Sequence, residues 1–169
     1  MGRNLGTAAL LFVAMVLQVT VLNRLGFAVV PDLVLLLVIA LAAARGAAAG
    51  AVIGFLTGLA ADVLPPADHV LGQYGLVMCL IGYVAGRGAV RAPMLTVMTC
   101  AVCAPALAVG VGALLGDPGV DWGAFEAVWP GTALCNLVVA PFLVWGVNAL
   151  FRVPRRPRKK ALVLGGRRP

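Results

Sequence analysis

The chain has 169 residues, of which 62% are hydrophobic and only 11% charged, and it carries a formal net charge of +7. A soluble domain of this size could not cover so much apolar surface with so few polar groups, so the composition excludes a water-soluble globule and points to an all-α integral membrane protein. The apolar runs do not alternate in polarity, which disfavours a β-barrel.

Six apolar windows follow in chain order, at 5–22, 28–44, 46–64, 70–86, 93–116 and 125–151. Each is close to the roughly 20 residues that a helix needs to cross ~30 Å of hydrocarbon, so six transmembrane helices are expected. The first window has no A-x-A-like cleavage site after it and reads as a retained helix rather than a removed signal. The second opens on Pro31-Asp32, where proline suits a helix start and a carboxylate is favoured by the dipole, so Asp32 reads as a cap. Only Arg45-Gly46 separates the second window from the third, and a re-entrant segment is the alternative there.

The third window places Gly46, Gly50, Gly54 and Gly58 at every fourth position and follows them with Asp62. Helices in a bilayer gain no hydrophobic advantage by associating, so close backbone approach matters, and this stripe reads as a contact face. The face serves either the chain's own bundle or a different protein. On either reading, leucine at Gly58 is expected to separate the helices and alanine to be much milder. Asp62 lies at the negative end of its own helix, where a carboxylate is disfavoured. Capping therefore does not explain it, and a partner's donor or Arg24 is expected to hold it.

The charges sort by side. With the N-terminus in the cytoplasm and an even helix count, Arg3, Arg45, Arg87, Arg91 and the eight basic residues after Phe151 lie inside, and only Arg24 falls outside. All six acids, Asp32, Asp62, Asp68, Asp117, Asp121 and Glu126, fall at or near the outer face. The chain thus divides into a six-helix domain, 1–151, and a basic cytoplasmic tail, 152–169. Arg155, Arg156, Arg158, Lys159 and Lys160 in that tail are expected to rest on anionic lipid headgroups. Nucleic acid is not expected, because the tail has no aromatic side chains to stack bases.

Catalytic constellations are missing. The chain has no serine, one histidine (His69, in an outer loop) and two lysines, both in the tail; it has no Walker A loop and no H-E-x-x-H. Cys79, Cys100, Cys103 and Cys135 lie in apolar helices without a histidine to complete a metal site. Neither an enzyme nor a bound cofactor is expected.

The run "VPDLVLLLVIALAAARGAAAGAVIGFLTGLAADVL", continued by "LGQYGLVMCLIGYVAGR", resembles the rod shape-determining MreD family of bacterial inner-membrane proteins. Pro31-Asp32, Gly54-Phe55, Gly58-Leu59, Asp62, Leu71-Gly72, Gly82-Tyr83 and Gly86-Arg87 carry the resemblance, over about residues 28 to 88. It implies a non-enzymatic partner of MreC, working with MreB and the RodA/PBP2 wall synthase. It also implies a six-helix fold similar to the S components of energy-coupling-factor transporters, with a cavity toward the outer side. The acidic segment "GDPGVDWGAFE" departs from the family pattern. A vitamin-binding S component is the alternative. Its cavity would draw on Gln73, Tyr74, Tyr83, Trp122, Trp129, Asn136 and the acids, and among these Asp32, Tyr74 and Tyr83 are the leading outer-side polar candidates. A transporter or channel is disfavoured, since the ionisable residues form no relay across the midplane.

Overall fold

The computed structural model describes residues 2–21, 30–63 and 71–151. They form six helices: α1 (Gly2–Thr20), α2 (Leu33–Arg45), α3 (Ala47–Val63), α4 (Gln73–Gly88), α5 (Pro93–Leu115) and α6 (Trp122–Phe151), with no strand among the described residues. By length and composition, α5 and α6 alone are long and apolar enough to pass as membrane spans. The other four are shorter, and α2 has only 13 residues, about 20 Å at 1.5 Å per residue. Arg24, Asp68, His69 and the whole basic tail, including Arg155, Arg156, Arg158, Lys159 and Lys160, lie outside the described residues.

The shortness of α2 follows from its place. It touches each of the other five helices, and nine consecutive residues, Val34 to Ala42, are buried. A helix apolar on every side belongs in the middle of a bundle. Gly46 ends it with φ 99°, a backbone conformation that favours glycine, and α3 begins at the next residue. The chain therefore turns back in a one-residue link between two separate helices.

The glycine stripe of α3 is covered by α4. Gly50 faces Gly82, Gly54 faces the Met78 carbonyl, Gly58 faces Gly75, and Gly46 lies beside Gly86. Residue numbers that fall on one helix as they rise on the other define an antiparallel seam, and α4 supplies its own small residues at matching heights. A Cβ on Gly58 would stand 2.6 Å from both Gly75 Cα and the Tyr74 carbonyl oxygen. At Gly50 and Gly54 the obstacle is again a backbone carbonyl of α4. Backbone atoms cannot rotate aside, so even the single carbon of alanine forces the two helices to shift, which corrects the mild outcome expected for alanine.

The two ends of the bundle carry opposite charge. At one end the Arg45 guanidinium donates to Asn4 Oδ1 and Thr7 Oγ1 and lies 5.7 Å over the Phe151 ring, tying together α1, α2 and α6. Arg87 and Arg91 belong to the same end, where α4 turns into α5. Asp117, Asp121 and Glu126 belong to the other, and Asp32 and Asp62 lie on that side of the bundle but deeper within it.

Candidate functional site

Toward the acidic end, two helix N-termini are buried, and each is satisfied by side chains, most of them from elsewhere in the chain. The first turn of a helix leaves backbone N–H groups without intrahelical partners, and in an apolar bundle each needs an acceptor. In α2 the Asp32 side chain caps its own helix, Oδ1 accepting from Leu35 N at 2.9 Å. The Asp32 amide donates to Asn136 Oδ1 at 3.0 Å, and the Leu33 amide to Gln18 Oε1 at 3.0 Å. The Tyr74 hydroxyl donates to the other Asp32 oxygen. Helices α1, α4 and α6 therefore all fasten the start of α2.

Asn136, 0% exposed, has a second task. Pro105 inside α5 has no N–H, so the carbonyl four residues earlier, Ala101 O, loses its helical donor. Asn136 Nδ2 donates to that oxygen at 3.3 Å. One buried amide thus repairs the proline break in α5 and seats α2.

The second buried N-terminus is that of α4, and Asp62 caps it. Its Oδ2 accepts from Gly72 N at 3.0 Å and from Gly75 N at 3.1 Å, and Oδ1 accepts from Tyr74 N at 3.2 Å. The residue is 2% exposed. This corrects the expectation that capping could not account for Asp62. The carboxylate sits at the unfavourable end of α3, but α4 runs antiparallel and brings its positive end to the same place. The glycine seam makes that geometry possible, because only two helices in backbone contact bring a C-terminal side chain of one against the first amides of the next.

Above the start of α2 lies a cavity of about 480 Å³. Asp32 is level with Asn136, fourteen residues into α6, or about 21 Å from its acidic end. The short central helix thus stops well below the long ones, and among the described residues the space above it is walled by α4, α5, α6 and the turn between the last two. Its lining is mostly apolar. The polar members are Asp32, Gln73, Tyr74, Trp129, Thr132 and, in and beside the turn, Asp117 and Asp121. Trp129 Nε1 donates to Val102 O at 3.2 Å and Thr132 Oγ1 to Val128 O at 3.2 Å.

The expected residues separate accordingly. Asp32 and Tyr74 meet at the cavity floor, and Gly50, Gly54, Gly58 and Asp62 build the wall behind it by fixing α4 on α3. Gly46 stands outside the α3 helix, at the opposite end of the bundle. Tyr83 is corrected: it lies nine residues beyond Tyr74, about half a turn out of phase and some 14 Å nearer the basic end, and it is 48% exposed. Sequence reasoning missed Gln18 and named Gln73 and Asn136 only as cavity groups of the transporter alternative; Gln73 does line the cavity, whereas Asn136 holds α2 and α5 beneath it. The one available signal was Pro105, whose orphaned carbonyl demanded a polar neighbour. Among the described residues no group of three His, Cys, Asp or Glu is placed to hold a metal.

A family model described as rod shape-determining protein MreD matches residues 3–153. The chain belongs to the MreD family. The match runs from the start of α1 to just beyond α6 and so takes in both capped helix ends and the cavity walls. Membership makes this a membrane protein with a role in rod-shape determination. No match was found among curated proteins or among solved structures. The vitamin-transporter alternative gains no support: the chain matches the shape-determining family, and Tyr83, one of that reading's candidate groups, lies away from the cavity.

Proposed function

We propose that the chain is a non-enzymatic subunit of the bacterial machinery that builds the lateral cell wall. It crosses the inner membrane six times and holds an MreC-like single-pass partner at the acidic-end cavity; MreB and the RodA/PBP2 synthase are reached through that partner. Family membership supports the setting. One observation carries the reading: the glycine stripe is consumed by α4, whereas the cavity above α2 is a concave, mostly apolar surface with polar groups at its floor and rim.

Six crossings are compatible with the short helices, because α2 is surrounded by protein and need not match the thickness of lipid. The basic end is assigned to the cytoplasm and the acidic end to the outside on the positive-inside tendency, with Arg45, Arg87 and Arg91 at the former. The tail is assigned to anionic headgroups on the same side. Reporter fusions after Phe151 are expected to read cytoplasm and fusions within the α5–α6 turn to read the outer side. A tail accessible from outside would overturn the topology and with it the outward-facing cavity.

The partner site is tested by filling it. Ala108→Phe, at the cavity wall, and Ala124→Trp, on its α6 side, are expected to lower partner recovery at least fivefold at equal membrane levels. Leu134→Phe, at a site 63% exposed on the outside of α6, is expected to leave recovery unchanged. Full recovery with both filled variants would move the partner to another surface.

A further inference from the structure

The cavity wall is chemically one-sided. Its side-chain donors are already committed within the protein: Tyr74 to Asp32, Trp129 to Val102 O, Thr132 to Val128 O, and Gln73 Nε2 to Ala108 O at 3.4 Å. Acceptor capacity is left over, although both Asp32 oxygens are taken by Leu35 N and the Tyr74 hydroxyl. Gln73 is 8% exposed and lines the cavity, and its Oε1 is buried with no hydrogen-bond partner. Turning the amide over would not relieve this, since it would set Oε1 against the Ala108 carbonyl. Asp117 and Asp121 use Oδ1 to accept from backbone amides, Gly119 N for the first and Gly123 N and Ala124 N for the second. Among the described residues that line the cavity there is no lysine, arginine or histidine.

A buried acceptor without a donor is destabilising, and native structures keep few of them. From this inventory we infer that Gln73 is a specificity-determining acceptor, and that the segment entering the cavity is an apolar stretch of the partner bearing an N–H donor for Gln73 and a cationic side chain for the Asp117–Asp121 rim. The inference rests on the partner reading above and adds the chemistry by which the partner is chosen. The last torsion of a glutamine is broad, so the amide can swing its oxygen toward an arriving donor while the helix stays fixed.

The test compares three changes in the full chain reconstituted in nanodiscs, with the partner purified from the same membranes as the probe. Gln73→Leu is expected to weaken partner affinity about tenfold while leaving the thermal midpoint of the free protein unchanged or raised, because the orphaned acceptor is gone. A role confined to holding α4 against α5 would instead lower that midpoint. The double change Asp117→Asn and Asp121→Asn keeps the turn and the α6 cap, since asparagine serves both. It is expected to weaken binding and to flatten its dependence on salt. If Ala108→Phe blocks binding while Gln73→Leu and the double change stay within twofold of wild type, the donor inference is overturned and the site stands. If Ala108→Phe itself binds normally, the site is overturned.

Discussion

Gly58→Ala is expected to be among the most destructive single-methyl changes in the described bundle. The added carbon would stand 2.6 Å from Gly75 Cα and from the Tyr74 carbonyl oxygen, so α3 and α4 must part along the seam to admit it. Overpacking ordinarily costs about 1–3 kcal/mol; with backbone on the receiving side the upper end of that range, about 3 kcal/mol, is expected. The separation also draws Asp62 away from the α4 amides it caps. Gly110→Ala is the matched control, because a Cβ there meets nothing within 4 Å. It should be neutral or stabilising by up to about 1 kcal/mol through helix propensity. Thermal unfolding in detergent, followed by size-exclusion chromatography, separates the two outcomes. Equal melting of both variants would show that the seam tolerates a wider helix spacing than its contacts indicate.

Asp62 supports the second large effect. Asp62→Leu leaves Gly72 N, Tyr74 N and Gly75 N without the acceptor each now has, at a site too buried for water to replace it. Loss of a cap costs about 0.5–2 kcal/mol and an orphaned buried donor about 1–3 kcal/mol, so a total near 3 kcal/mol is expected. Asp62→Asn retains one oxygen acceptor and should lose roughly half as much. The order of melting temperatures, wild type above asparagine above leucine, is the readout. If asparagine and leucine melt together, the carboxylate matters by its charge at the α4 terminus and not by its geometry as an acceptor. Tyr74 is carried on the same capped turn and reaches Asp32, so either change should also loosen the cavity floor.

The sequence by itself determined the features that depend on neighbours along the chain. Helix windows are legible because apolar length is a local property, and the break at Gly46 because a positive φ is a single-residue matter. The Asp32 cap was legible because the groups involved, Asp32 and Leu35, are three positions apart. The segregation of charge into two ends needs only an alternating chain direction.

What the tertiary structure alone decided involves pairs that helix periodicity cannot connect. The stripe on α3 reads identically whether its complement is another protein or α4; the antiparallel register of Gly50 with Gly82 and Gly58 with Gly75 settled it within the chain. Asp62 looked unfavourable because its own helix end repels a carboxylate, yet the field it experiences includes a second helix arriving head first ten residues later. Asn136 bonds a residue 104 positions away, and the carbonyl it repairs is 35 positions away on α5. The cavity is the least local feature. It exists because a 13-residue helix, short enough to be enclosed by five others, ends beneath a 30-residue one, and the difference in their lengths becomes a space only when the two stand side by side.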